Sequence, residues 1–276
     1  MKHRKRLLIL GDIFGMIIAL LVFVFPFIFM FLNSVKDRKE ANLLTASIPQ
    51  VFHWENYAEV FKTNDYVLIR AFKNSIVLTV FSVLGLVLVA SMAGFVIQRR
   101  KDRLSKAVNI ILMLGLMIPP AVLPTIWVMQ GLHIYRTLFG MVLVEIALQI
   151  PFDVMLYRGF ISTIPIELED AARIDGCKRR TLFFRVVFPL LKRVTSTIII
   201  LNAVTVFNDF TNPLYFLPGS ENATVQQTLY NFTGQYSSSY NLLFADVILI
   251  TLPMLILFII FNKKIVDGRV AGAIKG

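Results

Sequence analysis

One cysteine, Cys177, and three histidines, His3, His53 and His133, are all that the 276 residues offer for thiol or imidazole chemistry. A single cysteine excludes an internal disulfide and any metal or redox cluster built on cysteine. The histidines stand far apart in the sequence. No H-E-x-x-H, no G-x-x-x-x-G-K-[ST] and no G-x-S-x-G is present, so the chain has no zincin helix, no loop to cradle ATP phosphates and no nucleophile elbow. Nothing argues for a catalytic residue or a metal site. Acids are scarce too: 17 Asp and Glu against 28 Lys and Arg, a net charge of +11 and a pI near 9.9. There is no internal repeat and no low-complexity tract.

Apolar residues are abundant instead. They make up 57% of the chain, with a mean hydropathy of +0.71, against about 45–50% in soluble domains. They also come in long runs. Six membrane spans are expected, at about 7–32, 74–98, 107–132, 137–157, 194–216 and 242–262. Each has roughly 20 residues or more, enough for ~30 Å of hydrocarbon. The fold class expected is an all-α polytopic membrane protein forming a single transmembrane domain over 1–276, with no separate soluble domain. The basic start, MKHRKR, precedes an apolar run too long for a signal peptide, so a retained first span is expected. Pro119, Pro120 and Pro124 predict a kinked or broken third span.

Charge position sets the orientation. With the N-terminus inside, 21 of the 28 Lys and Arg fall in inside segments and 7 outside. That asymmetry puts both termini in the cytoplasm and accounts for the high pI without nucleic acid. Transporter, channel, receptor and assembly factor are the classes left.

The segment between spans four and five is unlike its surroundings. It reads ELEDAARIDGCKRRTLFFRVVFPLL, Glu167 to Leu191. Pro165 suits a first helical turn. Glu167, Glu169 and Asp170 suit a helix N-terminus, and Leu168, Ala171 and Ala172 make a small apolar face. Gly176 ends or bends that helix. Leu182, Phe183, Val186, Val187, Leu190 and Leu191 then predict a second, amphipathic helix. An interfacial anchor would explain the second helix. It explains the first poorly, because acids would lie against an anionic leaflet. A cytoplasmic protein partner fits an acidic helix with small side chains.

Asp170-Ala171-Ala172-x-x-x-Gly176 followed by Val186-x-Phe188-Pro189 resembles the EAA loop of the permease subunits of binding-protein-dependent ABC importers. The longer string IPIELEDAARIDG resembles the carbohydrate, maltose-type version. Asn74-Ser75, MIPPAVLP, FNDFTNPLYFL and the ending DGRVAGAIKG agree in order along nearly the whole chain. Asp170 for Glu, Cys177 for Ala, Phe188 for Leu, Phe207 for Trp and Arg193 for Pro are mild departures that bear on the fit to one particular ATPase.

The resemblance implies a type I importer transmembrane domain with a core at 73–262, a coupling loop at 160–192 and a cytoplasmic tail at 263–276. It implies that Pro165, Glu167, Glu169, Asp170, Ala171, Ala172, Arg173, Asp175, Gly176 and Pro189 serve coupling to an ATPase. It implies an extended tail that touches the ATPase pair through Gly272, Lys275 and Gly276. The implied partners are a second homologous permease, two ATP-binding cassette subunits carrying ATP and Mg, and an extracytoplasmic solute-binding protein. The implied substrate is a sugar, an oligosaccharide, which the binding protein would deliver to residues in 33–73 and 217–241 on the outer side. This chain would bind no cofactor. A permease for a non-sugar solute and an ion-coupled secondary transporter are the alternatives; the latter usually shows midplane charges and repeats.

Span five has the most polar interior. At ~100° per residue, Asn202, Thr205, Asn208, Asp209 and Asn212 fall within an arc of about 120°. Such a stripe lines a pathway or joins helices. Glu145 and Gln149 share a face of span four as i, i+4 neighbours. Asp12 and Asp246 lie nearer span ends, where solvation is the expectation.

Overall fold

The computed structural model describes the backbone of residues 2–234 and 238–273, and the side chains of 12–16, 18–234 and 238–260. Among the described residues every regular element is helical. Contacts divide the chain into two compact units, 1–69 with 227–253 and 70–226 with 254–276.

The first unit begins with helix α1 (Lys2–Ser34), which holds Pro26. Its described side chains from 12 to 28 are exposed and mostly apolar. A polar knot follows it. Lys36 is fully buried, and its ammonium donates to the Thr45 carbonyl (2.8 Å) and to the hydroxyls of Thr45 and Ser47 (3.2 Å each). Asn56 donates to the Ser34 and Lys36 carbonyls (2.8 and 2.9 Å), and Asn241 donates to Asn56 (2.9 Å). These bonds satisfy groups that would otherwise be costly to bury. In the same unit Asp246 is fully buried and accepts from the Thr228 hydroxyl at 2.8 Å. Solvation is the expectation for Asp246; burial against the Thr228 hydroxyl replaces it.

Helix α2 (Glu55–Arg99) is two helices joined at a break. Asn64, Asp65 and Tyr66 have φ of 48°, 55° and 58°, a left-handed conformation that costs L-residues roughly 1–2 kcal/mol each. The division between the units falls just beyond it, after Ile69.

The second unit holds α3 (Arg103–Met117), α4 (Val122–Gly131), α5 (Leu138–Ile161), α6 (Glu167–Ile174), α7 (Arg179–Leu190), α8 (Lys192–Phe207) and α9 (Thr211–Phe216). The last helix, α10 (Tyr240–Ala273), starts in the first unit and ends in the second. Asp102 caps α3, its carboxylate accepting from the Ser105 N–H at 3.0 Å. Those bonds to Ser105, with Arg100 alongside, hold its carboxyl below the usual aspartate range.

Among the described residues four helices, at Asp12–Ser34, Glu55–Arg99, Leu138–Ile161 and Tyr240–Ile260, are long and apolar enough to cross a membrane. Helices α7 and α8, bent by 77° at their junction, meet the same test only when taken as one pair. The third expected span is broken: α3 stops at Met117, Ile118 is extended ahead of Pro119-Pro120, and α4 starts at Val122. A residue before proline is driven out of the helical region. The fifth expected span also breaks, after Phe207. There the Asp209 carboxylate accepts from the Asn212 N–H and side-chain amide (3.2 and 2.6 Å), a local bond that competes with the helix ladder.

The core of the second unit gathers α2, α5, α7 and α8. Ala90 and Ile97, Val154, Tyr157 and Ile161, Phe183 and Val187, and Ile198 form one buried cluster. The Tyr157 hydroxyl donates to Thr195 at 3.0 Å. A Cβ on Gly94 would stand 2.9 Å from the Cβ of Tyr157, so glycine sets how closely α2 and α5 approach.

Candidate functional site

Helix α6 is short and lies at the surface of the second unit. Glu167, Asp170, Ala171, Arg173, Asp175 and Gly176 are exposed, and so are Pro165 ahead of it and Pro189 beyond it. Pro165 precedes the helix rather than opening its first turn, because Ile166 is the N-cap residue. The helix ends as its glycine predicts. Gly176 has φ +78°, its N–H bonds to the Arg173 carbonyl, and the Cys177 N–H bonds to the Ala172 carbonyl (3.0 Å each). This is the Schellman arrangement, and glycine enters its left-handed position without a Cβ penalty.

Two of the expected docking residues face inward. Ala172 is buried. Glu169 is fully buried and its carboxylate accepts from Arg99 Nε at 2.6 Å. Arg99 also donates to the Ile164 carbonyl at 2.9 Å. Glu169 therefore tethers α6 to the end of α2 and has no surface to offer a partner. Arg173 pairs with Asp170 at 2.9 Å and approaches the second Glu169 oxygen at 3.6 Å. No local sequence signal marks Arg99 as that partner, since 70 residues separate the pair.

The second loop helix is amphipathic, as its stripe predicts, but is not wound as a plain α-helix. Residues Leu182–Val187 form a π-helix, and the Phe188 N–H bonds to the Phe183 carbonyl five residues back. Pro189 has no N–H and its ring crowds the Arg185 carbonyl, and the wider π turn absorbs the misfit. The buried positions become Leu182, Phe183, Val187 and Leu191, while Leu190 is exposed and Val186 half-buried.

The polar residues expected together are placed apart. The break after Phe207 means that Asn202, Thr205, Asn208, Asp209 and Asn212 do not share one helix. Asn202 is buried and donates to Asp153 of α5 at 2.8 Å, so its amide is a bond between helices. An acid inside a span would have flagged Asp153. Thr205 and Asn208 are exposed, and Asn208 accepts from Gln226 at 3.0 Å. Asp209 and Asn212 are half-buried. Glu145 is buried on α5, its carboxyl meeting that of Asp209, and Gln149 is half-buried one turn on. The stripe thus divides into separate contacts, Asp209 with Glu145 and Asn212, and Asn208 with Gln226.

The tail is helical to Ala273, which carries Gly272 in α10; the extended form expected for it is absent there. Lys275 and Gly276 lie outside the described residues.

The family described as "Binding-protein-dependent transport system inner membrane component" matches residues 65–271. The chain belongs to that family. It is a multi-pass protein of the cytoplasmic membrane, a permease component of binding-protein-dependent transport, and permeases of this family are not themselves catalytic. It is 32% identical over 254 residues to the melibiose/raffinose/stachyose import permease protein MelC of Bacillus subtilis (strain 168), covering 91% of each chain. It is 32% identical over 261 residues to the multiple sugar-binding transport system permease protein MsmG of Streptococcus mutans, covering 92% of this chain and 93% of that one. Its fold matches a chain of a crystal structure of a bacterial ABC transporter that imports the acidic polysaccharide alginate. The TM-score is 0.83 at 19% identity, over 95% of this chain and 98% of that one. A second match, with TM-score 0.67 at 17% identity and 94% coverage of both, is to the alginate transporter in complex with a periplasmic protein bound to alginate pentasaccharide.

Proposed function

We propose that the chain forms half of the translocation pathway of an ATP-driven importer for a sugar, an oligosaccharide. The observation that carries the coupling half of this reading is α6: it exposes Glu167, Asp170, Arg173 and Asp175 while Glu169 fastens it to the bundle. A partner ATPase pulling on that face would pull on α2. The relatives' names, MelC and MsmG among them, support a sugar as cargo. ATP and Mg would be bound by two cassette subunits, and a second homologous permease would complete the pathway. An extracytoplasmic binding protein would deliver the sugar to the outer segments.

Six crossings follow if α3 with α4, and α8 with α9, each count as one broken span. The excess of Lys and Arg in alternate segments then puts both termini and the 160–192 loop in the cytoplasm. Glu145, Asp209 and Asn212, and Asn208 with Gln226, would offer amide and carboxyl partners to sugar hydroxyls, and the tail would contact the ATPases through Gly272, Lys275 and Gly276.

Asp170→Lys tests the docking face, since Asp170 is exposed and, among the described residues, pairs with Arg173 alone. The variant is expected to insert and to keep its permease partner, but to lose the ATPase subunits on purification and to lose sugar uptake. Normal co-purification and transport would remove the docking assignment.

A further inference from the structure

A cavity of about 720 Å³ opens in the second unit between the end of α2 and the start of α7. Five arginines line it: Arg99, Arg100, Arg173, Arg179 and Arg180. Three are committed to carboxylates, Arg99 to Glu169, Arg100 to Asp102 and Arg173 to Asp170. Among the described residues, Arg179 and Arg180 form no ion pair. They stand in the first turn of α7 behind Lys178, where positive charge opposes the helix dipole, so helix stability does not explain them. The rest of the wall is apolar, including Phe95, Val96, Phe183 and Phe184. Val96 and Phe184 are each 45% exposed.

We infer that this cavity binds an anionic phospholipid, the phosphate held by Arg179 and Arg180 and the upper acyl chain laid on Phe95, Val96 and Phe184. Two guanidinium groups match one phosphodiester in charge-assisted, forked hydrogen bonds. A free phosphate would meet the same arginines but leave the apolar wall uncovered, so an amphiphile fits and an inorganic ion does not. The volume lies in the range of small-molecule pockets, about 300–1,000 Å³. The inference rests on the cytoplasmic placement of the loop proposed above, which puts the cavity beside the inner leaflet, where basic pockets between helices meet lipid headgroups.

Cys177 lines the cavity and is the chain's lone cysteine, so it serves as a reporter. The importer complex, cysteine-free in its other subunits, is placed in nanodiscs of phosphatidylcholine alone or with phosphatidylglycerol. Maleimide labelling of Cys177 and retained lipid, by native mass spectrometry, are then measured. Phosphatidylglycerol is expected to be retained and to slow labelling, and Arg179→Gln/Arg180→Gln to lower retention about tenfold. Inorganic phosphate should protect Cys177 no better than chloride. Three results would overturn the site: no preference for the anionic lipid, equal protection by phosphate, or protection that follows the ATPase subunits whatever the lipid. A membrane-impermeant maleimide on sealed right-side-out vesicles separates the two readings: labelling there refutes the orientation itself, whereas no labelling together with no lipid preference refutes the lipid site alone.

Discussion

Glu169→Ala should be more damaging than any other single change in the α6 surface helix, because it strands Arg99. The carboxylate is 1% exposed and the guanidinium 16%, with Nε to Oε1 at 2.6 Å. Removing one member of a buried pair costs about 3–5 kcal/mol, whereas replacing both by apolar groups of similar volume is close to neutral. Arg99 keeps its bond to the Ile164 carbonyl and some access to water, which places the loss near the lower end, about 3 kcal/mol. Glu169→Gln keeps one hydrogen bond and loses the charge, so about half that loss is expected. The assay is a double-mutant cycle: Arg99→Met, Glu169→Leu and the pair, in the assembled complex, read by denaturant unfolding and by proteolysis of the 160–192 loop. Each single variant should free the loop to protease, and the pair should regain most of the stability. Single losses under about 1 kcal/mol that add in the double variant would show the tether to be idle and refute the reasoning.

Gly94→Leu should destabilise the second unit by about 1–3 kcal/mol through overpacking against Tyr157, seen as a lower melting temperature, while Gly159→Leu, with nothing within 4 Å, should not. At Gly176 open space surrounds an added Cβ, so only the φ of +78° resists substitution; Gly176→Asn should melt close to the parent and Gly176→Val about 1–2 kcal/mol below it. Asn202→Leu should leave the Asp153 carboxylate without its 2.8 Å donor and cost about 1–3 kcal/mol, whereas exposed Thr205→Val should leave the melting temperature unchanged. Asp102 has a lowered carboxyl pKa through its bonds to Ser105. Its contribution is therefore present above the unfolded aspartate value, about 3.9, and lost as pH falls through the lower folded value. Asp102→Asn should flatten the acid limb of the stability curve, compared by melting temperature against pH.

What was legible in the sequence was local. Gly176 announced the left-handed turn because only its own backbone and the preceding helix set that geometry. Pro119-Pro120 announced the broken span for the same reason. The break after Phe207 had a signal as well, an Asn-Asp pair followed by Asn212, but the apolar run on both sides outweighed it. The π turn at Leu182–Val187 follows from Pro189, yet helical periodicity alone reads it as a plain helix. Pairings across the chain were not legible. Glu169 with Arg99, Asn202 with Asp153, and Asp246 with Thr228 depend on which helices meet, and nothing in the spacing of these residues encodes that. The acidic helix turns one acid, Glu169, inward, and of its expected apolar face only Ala172 is buried, while Leu168 and Ala171 are exposed.

That inward acid changes how the loop would transmit motion. A helix held only by its flanking chain would swivel when a partner moved it. Here α6 is pinned at both ends: by Glu169 on Arg99 of α2, and through the Gly176 turn to α7, whose Phe183 and Val187 share a core with Ile97, Tyr157 and Ile161. Displacing α6 must carry α2 and α5 with it or break a buried ion pair and a packed cluster. The chain bends at Leu191, where α7 and α8 meet at 77° beside Pro189, and Leu191 itself is buried in the same cluster. A partner shifts the equilibrium between two states only by interacting differently with them. On the docking reading proposed above, the exposed acids of α6 would supply the contact that differs, and the buried Glu169 would make the difference felt by the bundle.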